Sequence, residues 1–558
     1  MSKSSLLRQR ISRRRALKYL ATATAGGLAA ACGGRSEETS TPESATPQVQ
    51  EPAPGQGGTI VWFDVGDPAS FDYYKTWTYR TNQFAALVYP RLLKFKIGPD
   101  VTPLRYDVVP DLAVAMPEQP DATTYIFKLR PARWEDKAPL SARPLTSEDV
   151  VKNWERFRVE HPFRAVFQDV DRVEAPAADT VRFVLSRPLG SFLNQVGHHG
   201  FFYIMPYELF GTGRLEQDMW SAGPFLFRGY QIGSDVRFER NPNYYIPNRP
   251  LASSTVCQII PDRVNAFAQF RVGRIDATCY REIITAKELS EARSAVPDAT
   301  FIPYDAHLNS WLGFDLTDPV FQDKRVRQAI SMAINRDDLV RTTDGGSWVL
   351  PWGILDAWHF DPAKNEFPNA RYYQHNPQEA RALLRAAGYE RLGPYDLLFA
   401  RVRSEQADYA QLIQQQLQQV GVETRLKELP LSEFNAQVQV GGRWRNAMAV
   451  GYNIVGSDPN EYLFIFWHPA SPRVISPGLQ PLLSNDSELM GAIDRQAREN
   501  DYSRRREALR NVVNIMADRM YNAPLAAPRF VHVHQRTVHQ FHWIFSYGGE
   551  YLLDAFKA

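Results

Sequence analysis

Residues 395–426, YDLLFARVRSEQADYAQLIQQQLQQVGVETRL, carry the local pattern that decides the fold class. The run YDLLFARV (395–402) is apolar and strand-like. From Asp408 onward Leu412, Ile413, Leu417 and Val420 recur at helical spacing, and Gly421 ends the pattern. VETRL then alternates again, so the stretch predicts a strand, a crossover helix and a second strand. NPQEARALLRAAGY (376–389) predicts another helix: Asn376 caps it, Pro377 suits its first turn and Gly388 stops it. Strands and helices alternate in several other places, which predicts α/β lobes.

At 558 residues the chain is too long for one hydrophobic core, and two or three lobes are expected. Hydrophobic residues at 44% and charged residues at 23% are ordinary for a globular body. A net charge of +2 argues against nucleic acid as a partner.

The N-terminal segment differs in composition. Lys3, Arg8, Arg10, Arg13, Arg14, Arg15 and Lys18 precede the mild apolar run YLATATAGGLAAA, which ends at Cys32. The run is too short and too rich in Gly, Ala and Thr for a permanent membrane span, so residues 1–32 are expected to be a signal peptide. SRRRALK resembles a twin-arginine export motif, with Ala16 where that motif usually has Phe. LAAAC resembles a lipobox with Leu28 one residue early, and lipidation is expected at Cys32. Residues 33–56 are small, polar and proline-rich, a disordered tether. Loss of residues 1–31 removes seven basic side chains and no acidic one, leaving a mildly acidic body.

Two further cysteines remain, Cys257 and Cys279, too few for a disulfide scaffold. Both are expected as buried thiols in strands flanking the helix DRVNAFAQFRVG, capped by Asp262 and stopped by Gly273, with the strands as parallel neighbours. No GxSxG, HExxH, P-loop or CxxC occurs, and no catalytic residue or cofactor is expected. In HVHQRTVHQFH, His532 and His534 would share one face of a strand with His539 and His542 following, but no carboxylate or cysteine joins them and no metal is expected. His198 and His199, read as strand neighbours, would point to opposite faces.

Six segments in order resemble family 5 of the bacterial extracellular solute-binding proteins, the oligopeptide, dipeptide and nickel class that serves ABC importers. They are GGTIVWFDVGDPASFD, VYPRLLKF, TTYIFKLRPARWEDKAPLSARPLTSEDVVKNWERF, SAGPFLFRGYQIGSDVRFERNPNYY, FQDKRVRQAISMAINRDDLV and EARALLRAAGY. The resemblance runs from Gly57 to about Phe530. In WEDKAPLSARPLTSEDV the chain is longer than the family pattern, which lengthens a surface loop.

This resemblance implies a two-lobed, periplasmic-binding-protein-like clamp of type II. The first lobe would comprise 57–95, 200–305 and 527–558, with an inserted subdomain at 96–199. The second lobe would span 306–526, reached by two hinge crossings near 306–315 and 524–530. It also implies a monomeric, exported, lipid-anchored receptor that passes a peptide or peptide-like solute to an ABC permease. An oligosaccharide or a metal chelate is the rival ligand, and a cleft hydrolase the rival class, disfavoured because no nucleophile with its base is identifiable.

Gap-free matching to the family places Trp77, Thr78 and Tyr79 along the ligand, and Tyr280 and Arg281 where RIDATCYREI enters the site. From the second lobe it places Glu405 near a helix mouth, Trp348 and Trp352 in the loop GGSWVLPWG, and Tyr452, Asn453, Val455 and Asp458 in GYNIVGSDPNEYLF. The peptide-binding members carry an Asp for the ligand ammonium where this chain has Val455. Asp458 and Glu405 are the acids that could replace it, although Asp458 before Pro459 also reads as a helix cap or turn.

Overall fold

The computed structural model describes residues 51–558 except 103–105, 280–281, 306–307, 343–346, 349–357, 401–403, 440–441, 455–456, 470, 472, 474, 528 and 545–548. The stretch 395–426 folds into strand Leu392–Phe399, helix Ser404–Gln419 and strand Val422–Glu428, the strands being parallel neighbours. Ile413 and Leu417 are fully buried beneath it. Gly421 adopts φ +86°, and a Cβ there would stand 2.7 Å from the Glu390 carbonyl oxygen, so glycine meets both demands. Asn376 caps helix Pro377–Ala386, accepting the Glu379 N–H at 3.0 Å.

These two strands belong to a five-stranded sheet ordered Val422–Glu428, Leu392–Phe399, Ala447–Ile454, Leu308–Phe314, Asn522–Pro524. The first three run parallel and the last two antiparallel to their neighbours. Among the described residues its core is built from Trp311 to Ala526.

A second sheet joins strand Thr59–Asp64, parallel, to Ser254–Ile259, and continues antiparallel through Asp235–Arg240 to Phe225–Gln231. Between Thr59–Asp64 and this hairpin the chain inserts a four-stranded antiparallel sheet, Glu118–Asp121, Thr124–Lys128, Thr180–Leu185 and Val170–Ala177. Helix Ser147–Glu160 packs on it, started by a capping box in which Asp149 accepts the Thr146 N–H at 2.8 Å. The inserted sheet has no separate core: Phe127, Phe183 and Trp154 belong to the same apolar cluster as Trp62 and Phe84.

Two crossings join the bodies, and they lie side by side. Strand Thr300–Asp305 pairs antiparallel with Arg529–His534. Just beyond, Leu308–Phe314 pairs with Asn522–Pro524, and the Leu525 N–H donates to the Ser310 carbonyl at 2.7 Å.

Cys257 lies in strand Ser254–Ile259, and Asp262 caps helix Arg263–Arg271 as expected, accepting the Asn265 N–H. The second expected strand does not form. Among the described residues the segment around Cys279 makes an isolated bridge, Ala277 to His534, and no strand beside Ser254–Ile259, whose two edges are already taken by Thr59–Asp64 and Asp235–Arg240. Both cysteines are buried free thiols, and burial pushes each up from the ordinary thiol range.

Candidate functional site

Thr78 is the N-cap of helix Tyr79–Val88, its hydroxyl accepting the Thr81 N–H at 3.0 Å. That cap fixes the residues on either side. The Trp77 indole N–H donates to the Gly200 carbonyl at 2.6 Å, and its ring meets Tyr79 at 5.2 Å and Phe163 at 4.8 Å, both edge-on. Trp77 and Tyr79 stay half-buried and form an aromatic ledge on the first lobe.

From the second lobe, Tyr452 ends the sheet near Ile454 and packs half-buried against the first lobe's core, with Phe464. Trp358 and Ile465 pack against both cores. The lobes therefore meet along one seam, with Tyr452, Phe464, Trp358 and Ile465 on it, whereas the contacts of Trp77 are with Gly200, Tyr79 and Phe163 of its own lobe.

Polar contacts complete that seam. Arg187 pairs with Asp494 at 2.5 Å, the Asn460 amide donates to the Ser191 hydroxyl at 3.1 Å, and the Gly190 N–H donates to the Ala497 carbonyl at 2.8 Å. A Cβ on Gly190 would lie 2.4 Å from the Glu499 carbonyl oxygen, so the close approach needs glycine.

Asp458 is committed within the second lobe. It caps helix Pro459–Trp467 by accepting the Asn460 N–H at 2.8 Å, and it takes both Arg505 Nη groups, at 2.8 and 2.5 Å. Both partners are nearly buried, and the Arg505 guanidinium also lies over Trp358 at 5.0 Å. The cap reading of Asp-Pro is the geometry found.

Of the remaining expected site residues, Tyr280, Arg281, Trp352, Val455 and the lipidation site Cys32 lie outside the described residues. Trp348 is placed by backbone only, in strand Ser347–Trp348 paired with Ala526–Ala527. Glu405 stands in the first turn of helix Ser404–Gln419, and Asn453 pairs in register with Asn309.

Sequence reasoning missed Glu461, His198 and Trp358. Asp-Pro-Asn-Glu reads as a helix start, which it is, and that signal hides a glutamate facing the other lobe. His198 and His199 do not alternate across a strand: they follow the short helix Phe192–Gly197, and their rings stack at 4.3 Å. His532 is buried, shares a 2.8 Å hydrogen bond with Thr278 and stacks on Trp543, and burial lowers its basicity. Among the described residues no group of three or more His, Cys, Asp or Glu is arranged to hold a metal.

The family described as bacterial extracellular solute-binding proteins, family 5, middle, matches residues 107–472. A Brucella ovis protein described as a candidate ABC transporter peptide-binding protein is 27% identical over 348 residues, covering 60% of this chain and 63% of that one. The chain thus spans under two thirds of the length of that relative. The dipeptide-binding protein of Escherichia coli K12 is 24% identical over 438 residues, 73% of this chain and 78% of its own. Among solved structures, the PBP AgaA from A. tumefacien R10, in complex with agropinic acid, superposes with a TM-score of 0.74 at 20% identity over 90% of this chain and 99% of its own. The oligopeptide-binding protein AppA from Bacillus subtilis, in complex with a nonapeptide, gives 0.72 at 19% over 90% and 100%. With that match across the middle of the chain and the two-lobed periplasmic-binding fold around it, the chain belongs to family 5 of the bacterial extracellular solute-binding proteins.

Proposed function

We propose that this chain is the extracytoplasmic receptor of an ABC importer, holding a peptide or peptide-like solute between its lobes without turnover and presenting it to the permease. The observation that carries the reading is the seam itself, where Tyr452, Phe464, Trp358 and Ile465 of the second lobe pack on the first lobe's core beside two adjacent crossings. A site of this kind is completed only when the lobes meet, so ligand contacts from both sides favour the closed state.

The solute is one without a free α-ammonium, or one whose ammonium is met by another acid. Val455 cannot pair a charge, and the Asp458 carboxylate already serves Arg505 and the helix cap. Glu405 is the remaining acid among the expected site residues. An unpaired enclosed ammonium would cost about 3–5 kcal/mol. Proteins of this fold are known in complex with ligands as different as a nonapeptide, agropinic acid and Ni(L-His), which fits a cleft whose ligand is set by local side chains. Calorimetry with a peptide library and the matching N-acetylated peptides tests the reading. Acetylated peptides are expected to bind at least as well as free ones, with Val455→Asp reversing the preference. A wild-type preference for free N-termini that survives Glu405→Gln would overturn it, as would return of the solute chemically altered.

Lipid anchorage at Cys32 belongs to the same reading, since no helix among the described residues is long and apolar enough to cross a membrane. Cys32→Ser is expected to be exported yet recovered in the soluble fraction, because the acyl chains supply the anchorage. Membrane retention of that variant would count against lipidation.

A further inference from the structure

Glu461 is a carboxylate placed where one lobe closes on the other. It projects from the first turn of helix Pro459–Trp467, its side chain fully buried, towards His198 of the first lobe, whose Nε2 stands 3.6 Å from its Oε2. Its other partners are the Ser457 N–H at 2.7 Å and the Ser457 hydroxyl at 3.2 Å. The surrounding charges do not neutralise it. On its own segment stands Asp458, already paired with Arg505 of helix Tyr502–Arg519. Helix Ser487–Arg498 turns the neutral Gln496 inward, while its Asp494 pairs outward with Arg187 and Arg498. From the first lobe come His198 and His199, and the neighbouring Arg164 is exposed.

His198 is a poor counter-ion. Its Nδ1 accepts the Gly200 N–H at 3.0 Å, and a backbone N–H can only donate. The ring hydrogen therefore sits on Nε2, facing Glu461. Charging the imidazole would require a proton on Nδ1 and loss of the Gly200 bond. A proton at this seam rests on the carboxyl instead, where an ionised Glu461 would be enclosed beside Asp458 with no cation paired to it among the described residues.

We infer that the lobes close with uptake of one proton onto Glu461, so that the closed seam, and with it solute capture, weakens as pH rises. This rests on the reading of the protein as a closing two-lobed receptor, and not on which solute it takes. Burial first, and the neighbouring Asp458 carboxylate second, push the Glu461 carboxyl well above the ordinary range. Parting the lobes returns it to water and towards its ordinary value. Closure is thus fully supported at pH below that ordinary value, and the support is lost as pH climbs towards the raised one.

Hydrogen exchange read by mass spectrometry on the ligand-free full chain tests this without any solute. Segments 189–201 and 457–467 report the seam, and 392–399 in the second lobe's sheet serves as reference. After correction for intrinsic exchange, seam protection is expected to fall by up to about tenfold per pH unit between about pH 5 and about pH 8. In Glu461→Gln, which mimics the protonated acid, it is expected to be the same at both. Equal wild-type protection at the two pH values would overturn the inference, and that comparison needs no substitution. A Glu461→Gln variant that keeps the wild-type response, or an equal fall in 392–399, would overturn it too. Failure of peptides to bind bears on the proposed ligand and leaves this result standing.

Discussion

Arg505→Ala is expected to lower the stability of the second lobe by about 3–5 kcal/mol, the range for removing one partner of a buried ion pair. The guanidinium meets both Asp458 oxygens, at 2.8 and 2.5 Å, and reaches Gln496 Oε1 at 3.3 Å. Alanine leaves the Asp458 charge enclosed, with only the N-cap bond to Asn460 to hold it. It also uncovers the face of Trp358. The measurement is a denaturant transition followed by circular dichroism, in which the second-lobe transition moves to lower denaturant. Adding Asp458→Asn to Arg505→Ala should recover part of the loss, because the stranded charge is then gone. A double variant no better than the single one would show that the cost lies in packing.

Gly451→Ala is expected to cost about 3 kcal/mol by overpacking. Gly451 stands in register opposite Trp311 across the antiparallel pair Leu308–Phe314 and Ala447–Ile454. A Cβ there would fall 2.1, 2.3 and 2.5 Å from three atoms of the Trp311 ring. That ring is fully buried and cannot step aside, since Gly313 already brings backbone under its other edge, 2.7 Å from a Cβ built there. Gly491→Ala is the control. It lies within helix Ser487–Arg498 and its Cβ would meet only the mobile end of Arg495, at 3.4 Å. That change is expected to stabilise by about 0.5–1 kcal/mol. A Gly451→Ala midpoint within error of the wild type would refute the ring's rigidity.

Local features were readable in the chain because their physics is local. Asn376 caps the helix that begins one residue later, Gly421 ends the crossover helix it follows, and the parallel pair 392–399 with 422–428 needs nothing outside its own stretch. The first-lobe ledge at Trp77 and Tyr79 and the second-lobe Tyr452 came from family pattern; Trp77 and Tyr79 pack on each other within their own lobe, and Tyr452 packs on the first lobe's core. What the sequence could not reveal depends on partners far along the chain. Asp458 is spent on Arg505, and Asp-Pro alone does not name the arginine. His198 reads as a strand residue and Glu461 as a helix-start acid, and only the docking of lobes brings them to 3.6 Å. The missing strand at Cys279 has the same origin, because both edges of Ser254–Ile259 are claimed by Thr59–Asp64 and Asp235–Arg240.

The side-by-side crossings also set an order of events on the ribosome. Strand Thr300–Asp305 is made early, yet its partner Arg529–His534 emerges only after the whole five-stranded sheet and its helices have been synthesised. The second lobe can collapse on its own core as it leaves the tunnel, since the described residues of that core end at Ala526. The first lobe, begun first, is finished after the second: Arg529–His534 and the pairing of Val538–His539 with Phe556–Lys557 follow the second lobe's residues along the chain. Nascent chains that end at Ala527 and are held clear of the tunnel by an added linker should therefore carry a protease-resistant second lobe on a first lobe still open to cleavage.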